Sequence, residues 1–132
     1  MTQEDKELLI TDLCSRLPYG VKIQTPADCW TSEEEIRELK EIFKGDDGLF
    51  RIGGVGALIE YSKPYLFPLS SMTEEKKEEF DRLYTYDALI INPQWELIDW
   101  LNKNHFDYRG LIEKELALDA SHLNIYNNDT ER

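Results

Sequence analysis

Clustered positive charge is missing from this chain: its longest basic run is the pair Lys76-Lys77, with acids on both sides. A protein that neutralises phosphates needs grouped Lys and Arg to release counterions, so direct binding to DNA, RNA or anionic lipid is not expected. Long apolar runs are missing too. None approaches the roughly 20 residues of a membrane-spanning helix, and the opening Met1-Thr2-Gln3-Glu4-Asp5 has neither the basic start nor the apolar stretch of a signal peptide. The expectations are no membrane contact and a cytoplasmic location. Cysteine and histidine are scarce, two of each. Cys14 and Cys29 form no C-x-x-C pair and lie far from either histidine, which excludes a disulfide framework and a spaced metal site. Two reduced, partly buried thiols, and no metal or cofactor, are expected.

What is present is acid and aromatic carbon. The 27 acidic residues outnumber the 15 basic ones, for a net charge of −12. That excess keeps the chain soluble and would attract a protein partner with a basic surface. A length of 132 residues, 41% hydrophobic and 11% aromatic, suits one core and excludes disorder of the whole chain. One α+β domain is expected over residues 1–126, followed by a frayed polar tail at 127–132.

Local patterns divide the chain. Thr2 with Asp5 three residues on predicts a capped helix to Leu17, with Leu9, Leu13 and Leu17 on one stripe and Pro18-Tyr19-Gly20 as its stop. Val21 to Thr25 alternates as a half-buried strand does. Ser32-Glu33-Glu34-Glu35 reads as a capping box, so a second, acidic helix is predicted to Lys44. Its apolar side is Ile36, Leu39, Ile42 and Phe43, and Gly45 follows as a stop. Leu49 to Ile52 and Ala57 to Tyr61 predict a short hairpin around Gly53-Gly54-Val55-Gly56. Lys63 to Pro68 must run extended, because each proline pushes its predecessor out of the helical region. A charged surface helix follows from Ser70–Thr73 to about Tyr84, then a buried strand at Ala88 to Ile91. Asn92 and Pro93 open a helix carrying Trp95, Leu97, Ile98, Trp100 and Leu101. The sum is about four helices on a small, mainly antiparallel sheet.

Four features invite a functional reading, each beside a plainer one. Gly53 to Gly56 could cradle phosphate, but such loops need a helix directly after the glycines. Strand-like Ala57 to Tyr61 follows, so a tight hairpin or bulge is expected. His105 and Asp107, next to Tyr108 and Arg109, could form a base-and-orienter pair or a ligand contact. The same spacing suits a helix end and a capped turn, with Arg109 pairing Asp107. Tyr65 and Phe67, between two prolines, look exposed and could anchor a partner on a pre-extended segment; the plain alternative is that they cover the core. The acidic stretches Glu33 to Glu41 and Glu74 to Asp81 could imitate a phosphate track. Against that, Glu33–Arg37 and Arg37–Glu41 are ordinary i,i+4 helix pairs.

Three segments carry a resemblance: Asp12 to Lys22 (DLCSRLPYGVK), Lys63 to Glu75 (KPYLFPLSSMTEE) and Leu101 to Ala120 (LNKNHFDYRGLIEKELALDA). In them the chain resembles a group of small uncharacterised proteins of gut Bacteroidetes genomes and their prophages. The group has no known activity, so the resemblance implies a setting, a mobile element and its bacterial host. In the group the stretch between the first two segments varies and is often strand-rich; here its pattern predicts the acidic helix.

The function expected from these readings is a non-enzymatic protein-interaction or accessory protein of a mobile element. The candidate contact residues are Tyr65, Phe67, His105, Asp107, Tyr108 and Arg109. The first alternative is an acidic DNA mimic that inhibits a DNA-binding or defence protein. The second is an enzyme using His105 and Asp107.

Overall fold

Thr2 opens the first helix as its spacing predicts. Its hydroxyl accepts from the Asp5 amide at 3.1 Å, and the Asp5 carboxylate accepts from the Thr2 amide at 3.3 Å. The computed structural model describes residues 1–26, 35–54, 56–89 and 95–126. Among these it is an α+β fold with three α-helices: α1 (Gln3–Arg16), α2 (Glu74–Leu89) and α3 (Trp95–Lys103). The strands are β1 (Lys22–Thr25), β2 (Glu35–Glu38), β3 (Ile42–Lys44), β4 (Phe50–Ile52), β5 (Lys63–Pro68), β6 (Phe106–Asp107) and β7 (Leu118–Asp119). The proposed caps Asn92 and Pro93, and the tail 127–132, lie outside the described residues.

β5 is the hub of the larger sheet. β1 pairs with its start, antiparallel, at Ile23↔Pro64 and Gln24↔Lys63. β7 runs parallel beside Tyr65 and Leu66, and β6 parallel beside Phe67 and Pro68. β2 extends the sheet on the far side of β1. The larger sheet is therefore mixed: β1 pairs antiparallel with both β2 and β5, while β6 and β7 run parallel to β5. Side chains alternate across a strand, and both faces of β5 are covered. Leu66 joins α1, Val21, Ile23 and Leu111 in one apolar cluster. Tyr65 and Phe67 join Leu97, Leu101, Phe106 and Tyr126 in a second, flanked by Phe80 of α2.

The predicted acidic helix is corrected. Residues 35–38 and 42–44 are strands, while 32–34 lie outside the described residues. β2 pairs with β1 over four positions, from Lys22↔Glu38 to Thr25↔Glu35, and the Leu39 amide donates to the Val21 carbonyl at 2.8 Å. The edge of β1 presents unpaired backbone groups, and meeting them outweighs a helix propensity worth only tenths of a kcal/mol per residue. Only Leu39 of the predicted stripe is fully buried; Ile36 and Phe43 are exposed. The helical pair Arg37–Glu41 goes with the helix, since Arg37 Nε donates to Thr25 Oγ1 at 3.2 Å across the strands.

β3 and β4 form a separate two-stranded ribbon, with Ile42↔Ile52, Phe43↔Arg51 and Lys44↔Phe50 in register. The predicted hairpin after it shrinks to one bridge, Arg51↔Leu58, and Ile59–Tyr61 is a 3₁₀ turn. Gly53 is required here: a Cβ at that position would sit 2.6 Å from the Cβ of Glu41, whose carbonyl accepts from the Gly53 amide. Arg51 ties both ends of the ribbon, donating to Asp47 at 2.6 Å and to the Gly56 carbonyl at 2.9 Å. The expected strand at Ala88 to Ile91 is corrected too. Residues 88 and 89 continue α2, and 90 and 91 lie outside the described residues. A short apolar run does not distinguish buried helix from strand. Cys14 is exposed, not partly buried.

Candidate functional site

α1 delivers an unexpected pair to the interior. Positions 9, 12, 13 and 16 share one helix face, and along with Leu9 and Leu13 that face carries Asp12 and Arg16, all fully buried. Arg16 Nε donates to Asp12 Oδ2 at 2.8 Å, and its Nη2 donates to the Phe106 carbonyl at 2.7 Å. Arg109 Nη1 donates to Asp12 Oδ1 at 3.0 Å. One carboxylate thus holds two guanidiniums, which is how a buried charge stays affordable. Both guanidiniums lie over the Tyr108 ring, 5.1 Å and 4.7 Å from its centroid. The Arg16 Nη1 atom, buried without a hydrogen bond, belongs to that stacked guanidinium. Tyr108 donates its hydroxyl proton to Asn102 at 2.8 Å and accepts from Arg109 at 3.1 Å.

β6 and its flanks gather the remaining candidates. His105 takes a left-handed backbone, φ 62°, at the turn out of α3, and its ring stacks on Tyr126 with centroids 3.9 Å apart. Its carbonyl accepts from the Phe67 amide, and the Tyr126 hydroxyl donates to the Tyr65 carbonyl at 2.6 Å. Asp107 accepts from the Leu111 and Ile112 amides, both at 2.9 Å, one on each oxygen. It caps the turn that follows, as the plainer reading had it, but Arg109 pairs Asp12 and not Asp107. The reason is reach: α1 presents a desolvated carboxylate beside Arg109, whereas the Asp107 oxygens are already engaged by backbone donors. Replacing Asp107 with asparagine keeps one acceptor and removes the charge. We expect a loss of about 1–3 kcal/mol in chemical denaturation; a loss near zero would mean that the cap contributes nothing.

The capped turn ends at Glu115, with φ 62°. The Glu115 amide donates to the Ile112 carbonyl and the Leu116 amide to Leu111, the bond pair of a Schellman motif, and Leu111 and Leu116 pack in one cluster. Glycine is the residue this position favours. Glu115→Gly is expected to raise stability by about 0.5–1 kcal/mol, read as a higher urea midpoint at unchanged slope. A lower midpoint would show that the side chain supports the turn.

The six residues singled out from sequence come together around β5 and β6, but most of them face inward. Tyr65 and Phe67 are 5% and 3% exposed, which corrects their reading as exposed anchors. A strand with both faces covered buries both parities of side chain, and the prolines at its ends indicate extension, not exposure. His105 and Asp107 are also buried; Tyr108 and Arg109 reach the surface in part. Asp12, Arg16, Asn102 and Tyr126 escaped the sequence reading. The signal for the first two was an i,i+4 ion pair lying on the apolar face of α1. Among the described residues no group of three or more His, Cys, Asp or Glu is placed to hold a metal, and no helix is long and apolar enough to cross a membrane.

Exposed apolar groups lie elsewhere. Phe43, Leu49 and Phe50 on the ribbon are 39%, 45% and 44% exposed, and Tyr61 is 64% exposed. A cleft of about 230 Å³ separates the ribbon from the start of α1, lined by Gln3, Lys6, Glu7, Gly48, Leu49, Phe50, Ile59 and Glu60. Comparison of the chain with models of protein families, with curated proteins and with solved structures returns no match.

Proposed function

We propose that this chain acts by binding another protein in the cytoplasm, as a non-enzymatic accessory component of a mobile element. The observation that carries the reading is the exposed ribbon: Phe50 with its neighbour Leu49, and Phe43 on the opposite face, are each about two-fifths exposed on a two-stranded element. Exposed aromatics are frequent anchors of interfaces. The polar cluster around Asp12 supports the same reading from the other side, because its donors and acceptors are largely spent on one another and on the backbone. The net charge of −12 favours a partner with a basic surface. The mobile-element setting rests on the resemblance of the three segments. Affinity purification of the full chain at low salt, from cells that naturally express it, should recover a stoichiometric protein partner. That partner should be lost when Phe43, Leu49 and Phe50 are replaced by serine. Recovery of no stoichiometric partner would overturn the reading.

A second reading, an acidic decoy for a DNA-binding or defence protein, has one observation in its favour. Glu74, Glu75, Glu78 and Asp81 are all exposed on α2. Its other support, an acidic helix over Glu33 to Glu41, is gone because residues 35–38 are a strand. A complex of this kind would compete with DNA and weaken steeply with salt; binding indifferent to salt removes it.

A further inference from the structure

We propose that the cleft between the start of α1 and the β3–β4 ribbon receives a short peptide segment of a protein partner, one large apolar side chain flanked by lysine or arginine. The proposal rests on the interaction reading above and supplies its surface and its chemistry. The floor is apolar: Ile59 is buried, and Leu49 and Phe50 stand nearly half exposed beside it. At about 230 Å³ the cleft is smaller than the roughly 300–1,000 Å³ that encloses a drug-sized ligand. It suits the anchoring side chain of a longer segment that continues over the surface.

The rim decides the charge of that segment. Lys6 is taken by Glu60 at 2.9 Å, and Arg51 by Asp47 at 2.6 Å. The exposed cation Lys44 lies over the Phe50 ring, 5.9 Å from its centroid, an intramolecular contact that an incoming positive group would share or displace. Glu7 in the cleft wall and Asp46 beside the ribbon turn are exposed and form no ion pair among the described residues. Glu4 adds another acid to the first turn of α1. An incoming cation therefore meets the Glu7 carboxylate, unpaired among the described residues, in the wall of an apolar cleft, in a chain whose net charge is −12. A second copy of the chain would bring the same acids and a further −12 of charge, so charge complementarity selects a basic partner over self-association.

The test uses the purified full chain, a phage-displayed library of random peptides, and synthetic versions of the peptides it selects. The expected consensus is one Leu, Ile, Phe or Trp flanked by Lys or Arg. Measured by fluorescence anisotropy, those peptides should bind Phe50→Glu and Leu49→Glu at least about tenfold more weakly. Glu7→Lys, an exposed helix position that leaves the floor intact, should weaken them several-fold, and added salt should do the same. Circular dichroism melts of each variant establish that it is folded. A consensus without basic residues, or peptides indifferent to both Phe50→Glu and Glu7→Lys, would overturn the cleft while the interaction reading stands. Sedimentation showing a dimer that Phe50→Glu dissociates would overturn it in favour of a second copy. Selection of no peptide would overturn it as well, and joined to an empty affinity purification it would remove the interaction reading too.

Discussion

Replacing Arg16 with methionine should lower the free energy of unfolding by about 3–5 kcal/mol, a large share of the 5–15 kcal/mol that holds a typical domain together. The side chain is fully buried and supplies two hydrogen bonds that nothing else in the fold replaces. Without it, Asp12 keeps only Arg109, whose side chain is 22% exposed and whose attraction solvent weakens. The Phe106 carbonyl loses a charged donor in the same step. The penalty comes from what is left stranded, so removing Asp12 as well should recover part of it. The double variant Asp12→Leu with Arg16→Met is expected to be less destabilised than the sum of the singles, by about 0.5–3 kcal/mol. Urea unfolding of the three variants measures the cycle. An Arg16→Met loss below about 1 kcal/mol would show that Arg109 alone satisfies the carboxylate.

Phe67→Ala is the second large effect, about 3–5 kcal/mol. Phe67 packs edge-on to Phe106 with centroids 6.2 Å apart, and against Tyr126 at 5.6 Å, at the point where β5 pairs with β6. Truncation leaves a void between two covered faces, and backbone pairing on both sides restrains its collapse. Phe50→Ala on the ribbon should cost under about 1 kcal/mol, because nearly half of that ring already meets water. The contrast separates an aromatic that holds the fold from one that faces solvent. Equal losses at the two positions would contradict the assignment of Phe67 to the core and of Phe50 to the surface.

Nearness in sequence explains most of what was legible. The start of α1 depends on Thr2 and Asp5, three residues apart, and the course of β5 on prolines that act only on their neighbours. The cap at Asp107 spans four to five residues and was among the readings of its segment. The glycine-rich stretch reads in sequence as a tight hairpin or bulge; residues 53 and 54 are a turn, but the strand expected after it is one bridge and a 3₁₀ turn. The segment from Ser32 to Lys44 misled because its best local pattern was helical while its partner, β1, lies up to 16 positions earlier in register.

The candidate site was half visible for the same reason. His105, Asp107, Tyr108 and Arg109 attracted notice as a dense polar group, but Asp12, 97 residues from Arg109, sets the orientation of the pair. Composition, charge, the α1 cap and the extended strand follow from the amino-acid order alone, because each depends on interactions within about a turn of chain. That both faces of β5 are covered, that residues 35–38 and 42–44 extend, and which aromatics meet solvent were settled only in three dimensions. Those outcomes turn on desolvating groups against elements distant in sequence, and burial of that kind outweighs local propensity wherever the two disagree.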